Sequence, residues 1–125
     1  MAKMRDIVVD CSHPASLARF WAAALDGYAV APYDDDERTR LRSLGVFDTE
    51  DDPQVLVEGP SGAPSIFFQR VPEPKSVKNR VHVDLVGDAV ELDRLLALGA
   101  SVVERHTDLV VLADPEGNEF CLIED

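Results

Sequence analysis

Two cysteines in 125 residues, Cys11 and Cys121, are too few for a disulfide framework and lack the close spacing of a zinc knuckle. No run of about eighteen apolar residues occurs, so no membrane span is expected. Cations are scarce: 12 Lys and Arg stand against 24 Asp and Glu, a formal net charge of −12. That imbalance repels a phosphate backbone or an anionic bilayer, so neither nucleic acid nor membrane is an expected partner. The opening "MAKMRDIVVDCSHP" lacks the apolar stretch and small-residue cleavage site of a signal peptide, and the expected compartment is cytoplasmic. Nucleophile elbow, phosphate loop and dinucleotide fingerprint are all missing, and "GPSG" at 59–62 reads as a hairpin turn.

What is present is a globular profile, 46% hydrophobic and 29% charged, at the length of a single domain spanning 1–125. Met4 to Cys11 reads as a strand in which Ile7, Val9 and Cys11 alternate with Asp6, Val8 and Asp10. "SHPASLARFWAAAL" then starts a helix, with Ser12 as the expected cap and Pro14 suited to the first turn. Leu17, Phe20, Trp21, Ala24 and Leu25 form its buried stripe, and Gly27 ends it. "YAVAP", "QVLVEG" and "SIFFQRV" are three further strands.

From Arg80 the order recurs. "RVHVDLVG" is an expected strand over 79–86, with His82 and Asp84 on one parity. Asp88 and Glu91 have capping-box spacing, and Ala89, Leu92, Leu95 and Leu96 make a helical stripe that Gly99 ends. "SVVERH", "LVVLAD" and "EFCLIE" are again three strands. The last follows the turn "DPEGN" and sets Glu119, Cys121 and Ile123 against Phe120 and Leu122. The expected fold class is α+β: two βαβββ modules, about 4–71 and about 79–125, joined by a linker at about 72–78, with a curved mixed or antiparallel sheet around a shared cavity. The acidic stretch 33–53 interrupts the first module. Arg38, Leu41 and Leu44 fit a short helix within it, and without the glycine-bearing loop of a calcium site its acids read as a solvated face.

"VVDCSHPASLARFWAAALDGYAV", "FFQRVPEPKSVKNRVHVDL" and "LADPEGNEFCLIE" together resemble the vicinal oxygen chelate superfamily of glyoxalase I, bleomycin-resistance proteins and extradiol dioxygenases. The phrasing is most similar to small bacterial glyoxalase-like domain proteins. The resemblance covers nearly the whole chain outside the acidic stretch and implies paired βαβββ modules and a homodimer. In metal-using members each module lends one ligand from its first strand and one from its last. Carried over, these fall on or near Asp6, on His82, on Cys121 where the family keeps a Glu, and in "SIFFQRV" on Phe68 or Gln69. Only Gln69 of that last pair is able to ligate, so a metal set would be Asp6, Gln69, His82 and Cys121. A thiolate suits zinc or iron over manganese or magnesium. With two positions departing from the expected types, the favoured reading holds no metal cofactor.

The expected cavity wall is therefore Val8, Asp10, Phe68, Arg70, His82, Asp84 and Cys121, apolar surface with sparse polar groups that suits a small organic molecule. Trp21 belongs to the helical core, and His106 to an exposed turn. The reading is a small-molecule-binding protein with a degenerate metal site, in resistance or metabolite binding. The alternative is a metal-dependent lyase, isomerase or dioxygenase of the same superfamily.

Overall fold

The computed structural model describes residues 1–124, and Asp125 lies outside the described residues. The chain divides into two compact units, Met1–Pro74 and Lys75 onward, each built as a helix on a four-stranded mixed sheet. In the first unit, β1 (Asp6–Cys11), α1 (Pro14–Ala24), β2 (Ala29–Val30), α2 (Asp35–Ser43), β3 (Gln54–Glu58) and β4 (Ser65–Arg70) follow in order, with a 3₁₀ turn at Thr49–Asp51. The sheet order is β1-β4-β3-β2. β1 and β4 run parallel, which the long connection between them permits, and the remaining pairs are antiparallel.

The second unit repeats the plan without the inserted helix: β5 (Asp84–Val86), α3 (Ala89–Leu98), β6 (Ser101–Arg105), β7 (Leu109–Ala113) and β8 (Glu119–Ile123). Its order is β5-β8-β7-β6, with β5 and β8 parallel and a bulge between Val102 and Glu104. This is the expected α+β architecture of two βαβββ modules. Among the described residues no helix is long and apolar enough to cross a membrane.

Alternation decides which face of each sheet is core. In the first unit Cys11, Val55, Val57, Ile66 and Phe68 are buried together with Leu17, Phe20, Trp21 and Ala24 of α1. Phe20 and Trp21 meet edge to face with centroids 5.3 Å apart. In the second unit Leu95 of α3 is buried with Leu112, Phe120 and Leu122. The "DPEGN" turn is held by Asp114, whose buried carboxylate accepts from the backbone of Glu116 and Asn118 at 2.9 and 3.0 Å. Neither Cys11 nor Cys121 is in a disulfide.

Three local expectations change. The cap position of α1 is His13, one residue after Ser12, and the His13 side chain makes no capping hydrogen bond. β5 covers Asp84–Val86 and not 79–86, so His82 sits on irregular backbone before the strand, although Val83 still accepts from Cys121 N at 3.0 Å. The capping box is half formed: Asp88 accepts from Glu91 N at 3.0 Å, while the Glu91 carboxylate turns to Arg94 instead of back to the cap.

Candidate functional site

The open face of the first sheet follows from strand register. β1 pairs with β4 so that Val8 meets Phe67 and Asp10 meets Gln69, and β3 adds Leu56 beside Phe67 and Gln54 beside Gln69. The Gln69 amide donates to Asp10 at 2.7 Å. Val8 and Asp10 thus lie on the face away from the helix, with Val8 52% exposed. Phe68 does not: it is 1% exposed, on the helix-facing side with Val55, and the aromatic on the open face is Phe67. Arg70 is paired with Cys11 and shares the parity of Phe68, which sets it on the other face from Asp10. The reason is a change of parity between strands. Odd positions face the helix in β1 and even positions do so in β4, so the parity of one strand does not transfer to the next.

The acidic segment lies at this open face. α2 is capped by Asp34, which accepts from Glu37 N at 2.8 Å, and three acids stand in its first turn against the positive end of the helix. Leu41 anchors it in the core, while Leu44 falls just past its end and stays exposed. At the far end of the segment Asp52 is 2% exposed and accepts from the Tyr33 hydroxyl at 2.7 Å and from Gln54 N at 2.9 Å. Burial, and then the bond to Asp52, push the Tyr33 phenol well above its ordinary value, so it remains a neutral donor. The carboxylate of Glu50 holds Arg19 of α1 through two contacts at 2.5 and 2.7 Å. The expected solvated acids therefore cap, pair and pin the segment.

Between the segment and the sheet lies a cavity of about 550 Å³. Ala31, Pro32, Leu56 and Phe67 supply its apolar surface, Tyr33 an amphipathic one, and Asp34, Asp36, Glu37, Asp52 and Arg40 its charge. A cavity of this size suits a drug-sized molecule. Sequence reasoning missed it because only the fold brings 31–40 next to Leu56 and Phe67; the one available signal was the aromatic pair in "SIFFQRV", whose register the sequence leaves open.

The second unit holds another cluster. His82, Asp84 and Cys121 place a ligating atom each within 4.8 Å of one another. Asp84 pairs with Cys121 across β5 and β8, and His82 Nδ1 lies 3.7 Å from Asp84 Oδ1. Partial burial raises the Cys121 thiol pKa, and the nearby, hydrogen-bonded Asp84 carboxylate raises it further. Ligands of one tetrahedral zinc lie roughly 3.3–3.8 Å apart, so small side-chain movements would let this nitrogen, oxygen and sulfur hold a zinc-like ion. The donor set fits such an ion better than magnesium or manganese. Asp6 and Gln69 do not join in one site: Asp6 pairs with Ser65, four residues along the ladder from Gln69, or about 13 Å at the strand rise. Asp6 is held by Arg5 at 2.6 Å. Glu119, beside Cys121 on the same face, is bound by Lys78 and by Lys75 at 3.5 Å; Lys78 above all holds its carboxyl below the ordinary range. His106 is exposed, 3.5 Å from Glu104.

The profile of a family described as "Glyoxalase-like domain" matches residues 6–123. None of the curated proteins matches the chain in sequence. Among solved structures, a glyoxalase/bleomycin resistance protein/dioxygenase family enzyme from Burkholderia phytofirmans is 16% identical, with 98% of each chain covered and a TM-score of 0.63. The fosfomycin resistance protein FosX from Mesorhizobium loti is 12% identical over 98% of this chain and 91% of its own, with a TM-score of 0.61. A hypothetical protein from S. aureus is 13% identical, covers 100% of this chain and 99% of its own, and scores 0.63. At these identities the likeness is one of fold.

Proposed function

This chain belongs to the glyoxalase-like domain family, and from that premise we propose that it is a small-molecule-binding protein whose ligand occupies the cavity of the first unit. The observation that carries the reading is the cavity itself: about 550 Å³, with apolar surface from Leu56, Phe67 and Pro32 beside the Tyr33 hydroxyl and a set of charged side chains. Apolar area supplies affinity in such a site and its polar groups fix orientation. The role is resistance or metabolite binding in the bacterial cytoplasm, as a homodimer. Exposed valines on the strands at the sheet edges, Val8, Val86, Val102 and Val103, support self-association. A thermal-shift screen of metabolites and drugs checks the binding, since a specific ligand stabilises by mass action. The expected result is metal-independent stabilisation by an organic compound, abolished by Leu56→Trp, which fills the cavity. Val8→Trp, beside Phe67 on the same face, is expected to weaken it.

The cluster of His82, Asp84 and Cys121 supports a second reading, a metal-dependent lyase or dioxygenase. A bound divalent ion would supply Lewis-acid polarisation of a substrate oxygen. In this chain the three side chains would hold and orient the ion, and Cys121 would have to lose its proton first. Metal analysis decides between the readings. One zinc or iron per chain, lost in both His82→Ala and Cys121→Ser, together with metal-dependent turnover of a hemithioacetal or a catechol, would displace the binding reading.

A further inference from the structure

We infer that the cavity of the first unit selects organic cations, an amine or quaternary ammonium carried on an aromatic or aliphatic body; this deepens the ligand-site reading above and rests on it. The cavity and its apolar surface make the site, and the carboxylates set its sign. Four carboxylates, Asp34, Asp36, Glu37 and Asp52, line it against one guanidinium, Arg40. That guanidinium is already engaged: Arg40 holds Glu37 through two contacts at 3.0 and 2.6 Å, so the pair is close to neutral. Among the described residues no salt bridge reaches Asp34, Asp36 or Asp52, although Arg40 also feels the Asp52 carboxylate electrostatically. Among the described residues the Asp34 carboxylate receives a backbone N–H from Glu37 and no cation, and Asp52 receives the neutral Tyr33 hydroxyl and the Gln54 backbone N–H.

One feature opposes this sign. α2 points its N-terminus at the cavity, and a helix start carries roughly half a positive charge, which favours anions. Half a charge, already answered by Asp34 at the cap, does not outweigh three carboxylates. At 4 Å each opposite pair near a surface interacts by several times the thermal energy, and the chain's net charge of −12 adds to the attraction. Leu56, Phe67 and Pro32 require more than a bare ion, because a hydrated metal would leave that apolar surface unused. The Phe67 ring adds cation–π attraction to a charged amine, whereas the Tyr33 ring already has the Arg38 guanidinium over it, 6.0 Å from its centroid.

Calorimetry on the full chain with three indoles of similar body separates the terms: tryptamine as cation, tryptophol as its neutral counterpart, indole-3-propionate as anion. Tryptamine is expected to bind about tenfold or more tighter than tryptophol, a difference of about 1.4 kcal/mol, and the propionate not measurably. Tryptamine affinity should fall several-fold between low and high salt. Asp36→Asn, at an exposed position whose loss does not threaten the fold, should weaken tryptamine and leave tryptophol unchanged. Glu37→Gln frees Arg40 toward the cavity and should weaken tryptamine while admitting the propionate; its melting temperature reports whether the fold persists. Equal binding of tryptophol or of the propionate overturns charge selection and leaves the ligand-site reading standing. Failure of both tryptamine and benzyltrimethylammonium overturns it as well, and if no uncharged aromatic binds either, the ligand-site reading falls with it.

Discussion

The Tyr33 hydroxyl donates to the buried carboxylate of Asp52 at 2.7 Å, so the two ends of the acidic segment are fastened to each other beside the cavity. Removing a donor from a buried carboxylate costs about 1–3 kcal/mol. Tyr33→Phe keeps the ring and deletes only that donor. Urea denaturation is expected to show a loss in this range with an unchanged slope, and a stability equal to wild type would show that the bond does not hold the segment.

Phe67 and Phe68 are adjacent in sequence and opposite in role. Phe68 is 1% exposed in the core, and truncating a buried phenylalanine costs about 3–5 kcal/mol. Phe68→Ala should lose stability on that scale. Phe67→Ala, on the half-buried open face, should lose less and should instead weaken ligand binding. The reverse ordering in thermal denaturation would mean that the β1–β4 register is off by one residue.

Acid should loosen the segment. Glu37 and Glu50 are held below their ordinary value of 4.5, first by hydrogen bonds from Arg40 and Arg19 respectively. A lowered carboxyl pKa contributes stability that is fully present above the unfolded value and is lost as pH falls through the folded one. Hydrogen exchange over 33–53, corrected for its intrinsic pH dependence, is therefore expected to show protection falling below about pH 4.5. Glu50→Gln should show the weaker protection already at neutral pH.

Cys121 should be a slow nucleophile at neutral pH, because burial and the Asp84 carboxylate hold its thiol pKa above the ordinary value of 9.0. Asp84→Asn removes one of these causes, lowers the pKa and should speed iodoacetamide alkylation of Cys121 at pH 8. A slower reaction in that variant would contradict the electrostatic assignment.

Gly99 ends α3 at φ 120°, a conformation that side chains rarely adopt, and an added Cβ would meet the Pro115 ring at 3.3 Å. Gly99→Ala is expected to cost about 1 kcal/mol or more, read as a lower melting temperature.

The order of elements was legible in the sequence because it rests on local chemistry. The helical stripe Leu17, Phe20, Trp21 and Ala24 and the alternation in β8 repeat at periods set by the backbone, the "DPEGN" turn is marked by its turn-forming residues, and each is found where that local signal puts it. The family resemblance rests on the same stretches. The sites were legible only in part. Asp10, His82, Asp84 and Cys121 were in view as polar wall residues, and Val8 as an apolar one. Which aromatic of Phe67 and Phe68 faces outward depends on which residue of β4 lies opposite Val8. Likewise, the cavity exists because 31–40 and Asp52 meet Leu56 and Phe67. Neither fact is written in any local pattern. Pairing across strands and closure of a long loop join residues far apart in the chain, and periodicity carries no information about which distant partner a residue will meet; only the tertiary structure decides that.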